Sequence, residues 1–474
     1  MLFNSMIFIW FFIPILFLYY LLPAKATKPL LLISSYLFYA WWDWRFLGLI
    51  VFITVVNFYM TAALNKQTIE KRRNLLLLIC IITSFSVLGV FKYFNFFIDS
   101  FVDLLSYAGF QSKYSYINII LPVGISFYTF QAVSYTIDVW KKDITPETDI
   151  IAFAIFIAFF PKLLAGPIER AGNFLPQIKE KKTPMHNTIG EALWLILWGF
   201  FLKVLIADNL CIYVDSIYDN YQTISGIDVI LCHYAFAFQI FGDFAGYSYI
   251  AIGIAKLFGI NLSENFRFPY FAKTPSEFWQ NWHISLSNWF RDYLYIPLGG
   301  NKNSKIITLR NLMITMTVCG LWHGAAWHFV LWGTFHGIVL VLFRIFSTKS
   351  TKTIKSNSFR NMVQVFCMFH ITCFGWMIFR TPNMKVFFTM IHKLLFDLTN
   401  FDTNFDIRTG YWGVNILFYI SILVTIQLFQ FVKKIPHSMP LQNPLLKPIL
   451  SVTMVYLLLT LGNWGTKSFI YLLF

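Results

Sequence analysis

Apolar residues along this chain come in long runs, separated by short polar and basic segments from one end to the other. A helix needs roughly 20 apolar residues to cross a bilayer core about 30 Å thick. The runs predict membrane-spanning helices near 5–22, 29–43, 46–63, 74–92, 116–138, 149–165, 190–206, 229–247, 309–321, 325–346, 361–379, 411–432 and 447–462. Several are short or broken by Pro and Gly, so we expect about eleven crossings, with re-entrant or interfacial helices around a central tunnel.

Composition narrows the class of protein further. The 474 residues are 57% hydrophobic and 12% charged, and their mean hydropathy is +0.62. A soluble domain carries about 25% charged residues, so a soluble enzyme, a nucleic-acid binder and a secreted disulfide scaffold are all disfavoured. We predict an all-α, polytopic integral membrane protein with one membrane-embedded domain over 1–474 and its core motifs within 116–346.

The distribution of charge predicts the orientation. The net charge is +15, and basic residues concentrate in short segments at 64–73, 344–360 and 433–434, which the positive-inside bias places in the cytoplasm beside membrane lipids. Asp208, Asp215, Asp219 and Asp228 surround what reads as a polar loop, and a second acid-rich loop covers 397–406. We expect both loops, the N-terminus and the C-terminal tail on the outer side of the membrane.

Two histidines have conspicuous neighbours. His283 lies in the sequence W-H-I-S-L-S at 282–287, and His323 lies in W-H-G at 322–324. An imidazole can remove a proton from a hydroxyl near neutral pH, which is the chemistry of a general base. The other interpretation of His323 is a hydrogen bond across a helix interface. We expect no metal site, because no carboxylate or Cys ligand set accompanies His328 and His336, the two histidines that loosely share a helix face.

Asp243 and two further segments carry charge within apolar or aromatic surroundings. Asp243 could orient a histidine, bind a polar substrate or cap a broken helix. The segment 160–170 holds two prolines and a glycine, which favours the end of a helix at the cytoplasmic face. Alternatively, the segment 160–170 forms a rigid wall of the binding site for a nucleotide-bearing acyl donor, with Lys162 and Arg170 next to that donor. The segment 262–308, which contains Arg291, reads as an aromatic, basic loop at the cytoplasmic interface or in a funnel.

Four motifs together resemble one family. The segments 160–170, 243–248, 276–301 and 322–324 resemble the membrane-bound O-acyltransferases, in the bacterial branch of alginate O-acetyltransferases and D-alanyl transferases, with the alginate type most similar. The resemblance implies that His323 is catalytic and that His283 completes the site. It also implies a substrate tunnel, lined by Trp282, Ser285, Asn288, Trp322, Gly324 and Asp243. On the donor side, it implies contacts to the acyl donor by Lys162, Arg170 and Arg291.

The resemblance implies a reaction as well. An acetyl group would pass from a cytosolic thioester, acetyl-CoA or another acyl donor, towards hydroxyls of a periplasmic polysaccharide such as an alginate-like polymer or peptidoglycan. No bound cofactor and no nucleic acid are expected, and a periplasmic SGNH-type acetyltransferase is the expected partner at the bacterial inner membrane. One alternative is D-alanyl transfer from a carrier protein to teichoic acid. The alternative from another class is a non-enzymatic transporter or flippase of lipid-linked sugars.

The last residues form a separate motif. The segment 467–474 resembles the aromatic C-terminal motif of this branch, with Tyr471 at its centre. One hypothesis is that Tyr471 accepts the acetyl group and passes it to the extracytoplasmic partner. The other is that Tyr471 is an interfacial aromatic anchor.

Overall fold

A computed structural model describes residues 1–110, 119–181, 185–302, 304–347, 358–398, 403–435, 437, 446–465 and 470. Within these ranges the regular structure is helical, and the β structure is one isolated bridge between Phe266 and Trp282. The chain divides into two compact units, one of 1–189, 254–263 and 324–326 and the other of 190–253, 264–323 and 327–474. A single domain over 1–474 stays a prediction.

The first unit is built from nine helices among its described residues: α1 Met6–Leu21, α2 Ala24–Asp43, α3 Leu47–Lys66, α4 Glu70–Leu88, α5 Phe94–Tyr107, α6 Ile125–Lys141, α7 Ile150–Ala158, α8 Phe160–Leu163 and α9 Ala171–Ile178. Buried polar side chains connect α3, α4 and α6. Asn57 Nδ2 donates to Ser84 Oγ at 3.1 Å, and Thr136 Oγ1 donates to Asn57 Oδ1 at 3.0 Å. Such hydrogen bonds between apolar helices satisfy polar groups where water is absent.

The remaining eleven α-helices of the described residues lie wholly or mostly in the second unit: α10 His186–Phe200, α11 Asp208–Asp219, α12 Gly226–Leu257, α13 Pro275–Asn281, α14 Ile284–Phe290, α15 Lys305–His323, α16 Trp327–Phe346, α17 Ser358–Arg380, α18 Met384–Phe396, α19 Thr403–Lys433 and α20 Leu446–Leu461. A π-helical segment, Phe201–Ala207, joins α10 to α11. Glycines let α10 and α12 approach closely, since a Cβ on Gly246 would lie 2.7 Å from the carbonyl oxygen of Gly199.

Seven helical stretches of the described chain are long and apolar enough to cross a membrane: Ala24–Lys66, Glu70–Tyr107, Thr188–Asp219, Gly226–Leu257, Trp327–Phe346, Ser358–Arg380 and Gly413–Lys433. Two shorter apolar helices, α1 and α20, accompany them. Ala24–Lys66 holds both α2 and α3, and Glu70–Tyr107 holds both α4 and α5. The predicted all-α, multi-pass membrane fold is confirmed.

Three local predictions differ from the structure. The run 149–165 is not one helix, because the chain leaves helical geometry at Phe159 between α7 and α8. The segment 262–308 is not merely a loop, since α13 and α14 lie in it. The polar loop expected between Asp208 and Asp228 is present but covers only 220–225, because residues 208–219 form α11, and Asp208 and Asp228 are buried. Asp208 tolerates burial because Lys203 pairs with it, and Asp228 because Ser225 donates to it.

Candidate functional site

The position of His323 follows from the close packing of α15 and α16. A Cβ on Gly320 would lie 2.2 Å from the carbonyl oxygen of Phe329 and 2.9 Å from the Cα of Gly333. Only residues without side chains allow two helical backbones to meet at that distance. The contact brings the Trp332 ring of α16 to 4.9 Å from the His323 ring at the end of α15.

Aromatic rings surround the His323 imidazole. Trp322 and Phe379 lie 5.0 and 5.7 Å away between ring centroids, and both present edges at about right angles. His323 is 2% exposed, and neither ring nitrogen is accessible to solvent. The structure therefore shows His323 enclosed, and the expected tunnel from both water phases stays a prediction that requires these rings to move.

The second signature histidine belongs to the same aromatic cluster. His283 packs against Phe244 at 4.6 Å and against Trp322 at 6.1 Å, so Trp322 contacts both imidazoles. His283 lies between α13 and α14, outside the candidate membrane spans. Burial lowers the pKa of His283 to about 3, because the charged imidazolium would lose its hydration. This ring is therefore neutral at physiological pH.

The backbone at His283 is unusual. Its φ of 42° and ψ of 56° lie in the left-handed region, which costs energy for a residue other than Gly. The side chain and backbone of Asn265 hold the turn: Ser285 Oγ donates to Asn265 Oδ1 at 2.6 Å, and the Ile284 N–H donates to the Asn265 carbonyl at 2.9 Å. Ser285 thus contacts protein rather than open space. Asn265 lies outside every motif, so no sequence signal pointed to it.

A cavity of about 170 Å³ lies along α15, on the helix face that also carries His323, although His323 is not among its lining residues. Arg291, 57% exposed and paired with Asp292 at 2.7 Å, lies on its wall with Trp279 and Tyr295. The deeper wall includes Met316 and Cys319 on α15. Cys319 precedes His323 by four residues, about 6 Å along a helix. Asn288, on α14, is half-buried, and its carbonyl accepts from the Arg291 N–H.

Asp243 has protein partners that the sequence did not reveal. Lys203 Nζ lies 2.6 Å from Asp243 Oδ1 and 2.7 Å from Asp208 Oδ1, and all three side chains are almost fully buried. Asp243 Oδ2 accepts from the Ile470 N–H at 2.6 Å. Its role in lining a substrate tunnel stays a prediction. The available signal was Lys203 itself, a lone cation in an apolar run five residues before Asp208.

Lys162 is enclosed within the first unit. It has no exposed surface, donates to Gln131 Oε1 and to the Phe156 carbonyl, and lies 4.7 Å from the Phe156 ring and 4.8 Å from the Phe174 ring. This geometry is that of a helix-packing residue. A donor contact by Lys162 stays a prediction, as does one by Arg170, which directly precedes α9.

The remaining predicted residues fall into three settings. Trp282 has no exposed surface and stacks on Phe278 at 5.8 Å. Gly324 directly follows α15 and is buried. Tyr471 lies outside the described residues. Within the described part of the chain, no group of three or more His, Cys, Asp or Glu side chains could hold a metal ion.

Comparison with known proteins identifies the family. Residues 144–380 match the model of the membrane-bound O-acyltransferase family. The chain is 40% identical over 395 residues to a probable alginate O-acetylase AlgI of Azotobacter vinelandii, covering 82% of this chain and 77% of that protein. It is 34% identical over 417 residues to a peptidoglycan O-acetyltransferase of Helicobacter pylori, covering 81% and 78%.

A more distant relative belongs to the other branch. A teichoic acid D-alanyltransferase of Bacillus subtilis is 29% identical over 278 residues, covering 55% of this chain and 69% of that protein. The expected family and the expected enzymatic class are confirmed. With its helical membrane fold and its two histidines in one aromatic cluster, this chain is an O-acyltransferase that belongs to the membrane-bound O-acyltransferase family.

Proposed function

We propose that this chain moves an acetyl group from a cytosolic thioester, acetyl-CoA, to hydroxyls of an extracytoplasmic polysaccharide. The observation that carries the proposal is the aromatic cluster in which Trp322 contacts both His283 and His323. An apolar, water-poor site favours acyl transfer to a hydroxyl over hydrolysis of the thioester. The relatives named as alginate and peptidoglycan O-acetyltransferases supply the acceptor class.

His323 is the general base of this proposal. Its imidazole removes the proton of the attacking hydroxyl, the hydroxyl oxygen bonds to the acetyl carbonyl carbon, and the carbon–sulfur bond of the thioester breaks. The departing thiolate then takes the proton back from the imidazole, so the products are an ester and a free thiol. General base catalysis of this kind typically contributes 10²–10⁴-fold in rate.

The 170 Å³ cavity along α15 is the proposed path of the donor. Its walls are mostly apolar, which suits the acyl–pantetheine arm, and the exposed Arg291 suits a phosphate of coenzyme A. The cavity runs towards the helical turn that precedes His323. Motion of Trp322, Trp332 or Phe379 would admit the thioester to the imidazole.

The acceptor lies on the other side of the inner membrane in this proposal, with the N-terminus and the C-terminal tail on that side. In this relay the Tyr471 phenol is the hydroxyl that attacks the thioester, and a nucleophile of an SGNH-type partner then cleaves the aryl ester, takes the acetyl group for the polysaccharide and leaves the phenol protonated. D-alanyl transfer remains the second chemistry to test, but the D-alanyltransferase relative is less similar and matches a smaller part of the chain. A transporter without covalent chemistry would have no need of His323.

The test is release of free thiol from acetyl-CoA by detergent-purified protein, with and without a polysaccharide acceptor. His323→Gln should lower turnover about 10²–10⁴-fold, the usual contribution of a general base. His392→Gln is the matched control, since His392 is an exposed histidine on α18 and should leave turnover unchanged. Full turnover in His323→Gln would refute the mechanism. Turnover with D-alanyl-loaded carrier protein but not with acetyl-CoA would refute the choice of donor.

A further inference from the structure

The chain beyond α20 returns to the π-helical segment 201–207. In a π-helix the backbone hydrogen bonds join residues i and i+5 instead of i and i+4, and carbonyl groups in and beside this segment accept from donors elsewhere in the chain. The Val204 carbonyl accepts from the Asn463 N–H at 3.1 Å, and Asn463 Nδ2 donates to the Asp208 carbonyl at 3.2 Å. In return, Asn209 Nδ2 donates to the Leu461 carbonyl at 2.9 Å. These bonds attach residues 461–463 to the π-helical segment.

Ile470 provides a second attachment, inside the protein. Its N–H donates to Asp243 Oδ2 at 2.6 Å, and the residue is 6% exposed. Asp243 Oδ1 is the oxygen that faces Lys203. Each oxygen of this buried carboxylate therefore has a separate partner, one from the core helices and one from the C-terminal end of the chain.

The charge of the cluster explains why a backbone donor is needed there. Lys203 carries one positive charge between the two carboxylates of Asp208 and Asp243, so the group has a formal net charge of −1. A buried carboxylate is costly unless its oxygens accept hydrogen bonds. The N–H of Ile470 donates one of these hydrogen bonds to Asp243 and adds no further charge to the cluster.

We propose that Lys203, Asp208 and Asp243, with the π-helical segment, form a receptor for the C-terminal end of the chain, hereafter the tail receptor. Asp243 is then a positioning residue for Ile470, near the C-terminal end of the chain. Phe244, its neighbour on α12, packs on His283 at 4.6 Å, so one helix connects the tail receptor to the histidine cluster. The meaning of this arrangement for Tyr471 rests on the proposed function; the attachment of the tail does not.

The first test measures the attachment alone. Full-length protein in detergent is digested from its C-terminus with a carboxypeptidase, and the intact mass is followed over time. Asp243→Ala should speed removal of residue 470 by roughly tenfold or more, as loss of a hydrogen bond to a charged group predicts. Asp243→Asn keeps the side-chain volume and an acceptor oxygen, and should give an intermediate rate. Asp215→Asn is the matched control, because Asp215 pairs with Arg380 and should leave the rate unchanged.

The second test separates positioning from general damage to the fold. Asp243→Ala should lower the transfer of acetyl to the acceptor by a larger factor than it lowers the hydrolysis of acetyl-CoA in the absence of acceptor. A merely structural role would lower both rates together and would overturn the assignment of Asp243 as a positioning residue. If Asp243→Ala does not fold, both the digestion and the activity are measured on Asp243→Asn instead. Digestion of Asp243→Asn at the wild-type rate would then overturn the tail receptor.

Tyr471→Phe makes the two proposals distinguishable. This variant keeps the backbone of the tail, so its digestion rate should equal that of wild type. If it retains full transfer, the acetyl relay fails and the tail receptor stands. If Asp243→Ala and Asp243→Asn both digest like wild type, the tail receptor fails whatever the activity of Tyr471→Phe.

Discussion

The second unit buries polar groups in two different ways. The histidine cluster of His283 and His323 is enclosed by rings of Trp and Phe side chains. The tail receptor buries full charges instead, with Lys203 between two carboxylates at 2.6 and 2.7 Å. Both clusters are almost fully hidden from solvent.

The difference suits different tasks. A general base must gain and lose a proton, and the histidine cluster places its imidazoles among uncharged aromatic rings. A buried ion cluster resists rearrangement, because separating its members exposes an uncompensated charge in a medium of low polarity. We therefore expect chemistry in the histidine cluster and fixed geometry in the tail receptor.

Lys203→Met should have the largest effect on stability. It leaves the Asp208 and Asp243 carboxylates buried without their cation, a change that typically costs about 3–5 kcal/mol. The midpoint of thermal unfolding in detergent measures this loss. The triple variant Lys203→Met, Asp208→Asn, Asp243→Asn removes all three charges and should recover most of it. A stable single variant would show that the cluster does not hold charge.

Gly320→Ala tests the helix contact that places His323. The new Cβ would lie 2.2 Å from the Phe329 carbonyl oxygen, and overpacking of this kind costs about 1–3 kcal/mol. Thiol release from acetyl-CoA should fall as well, because the ring of His323 shifts against Trp332. Gly48→Ala in α3 is the matched control, since no atom lies within 4 Å of its added Cβ. Equal behaviour of the two variants would contradict the proposed role of the α15–α16 contact.

The dependence of stability on pH tests the burial of His283. Its pKa of about 3 in the folded protein lies below the ordinary value of 6.5, so the unfolded chain binds the proton more readily. Stability is complete above pH 6.5 and falls as the pH drops towards 3, by up to about 2 kcal/mol between pH 6.5 and 5. His283→Gln lacks this titration. Unfolding midpoints measured from pH 7.5 to 5 should therefore fall less in the variant than in wild type, and parallel curves would exclude a buried neutral His283.

Asp215→Asn should have the smallest effect. Its partner Arg380 lies 2.9 Å away, but both side chains are partly exposed, at 35% and 26% for Asp215 and Arg380. Solvent-screened pairs contribute below about 1 kcal/mol. The unfolding midpoint should stay close to that of wild type. A loss as large as that of Lys203→Met would remove the distinction between exposed and buried ion pairs on which the comparison depends.

Much of the protein could be predicted without coordinates. Helical membrane spans follow from the length of apolar runs, because a bilayer requires about 20 apolar residues per crossing. The family followed from short motifs around His283 and His323, and both histidines do lie in one aromatic cluster. These features depend on residues that are close in the sequence or on the thickness of the bilayer, so they can be predicted from the order of residues alone.

Only the tertiary structure decided which polar side chains meet. Asp243 binds the backbone of Ile470, 227 residues later, and Ser285 is held by Asn265 from outside its motif. Lys162 proved to be enclosed by phenylalanine rings, and Asp208 to be a buried partner of Lys203 at the start of α11. A lone charge in an apolar run looks the same whether it faces a substrate or an ion pair, since its partner is chosen by helix packing over long sequence distances.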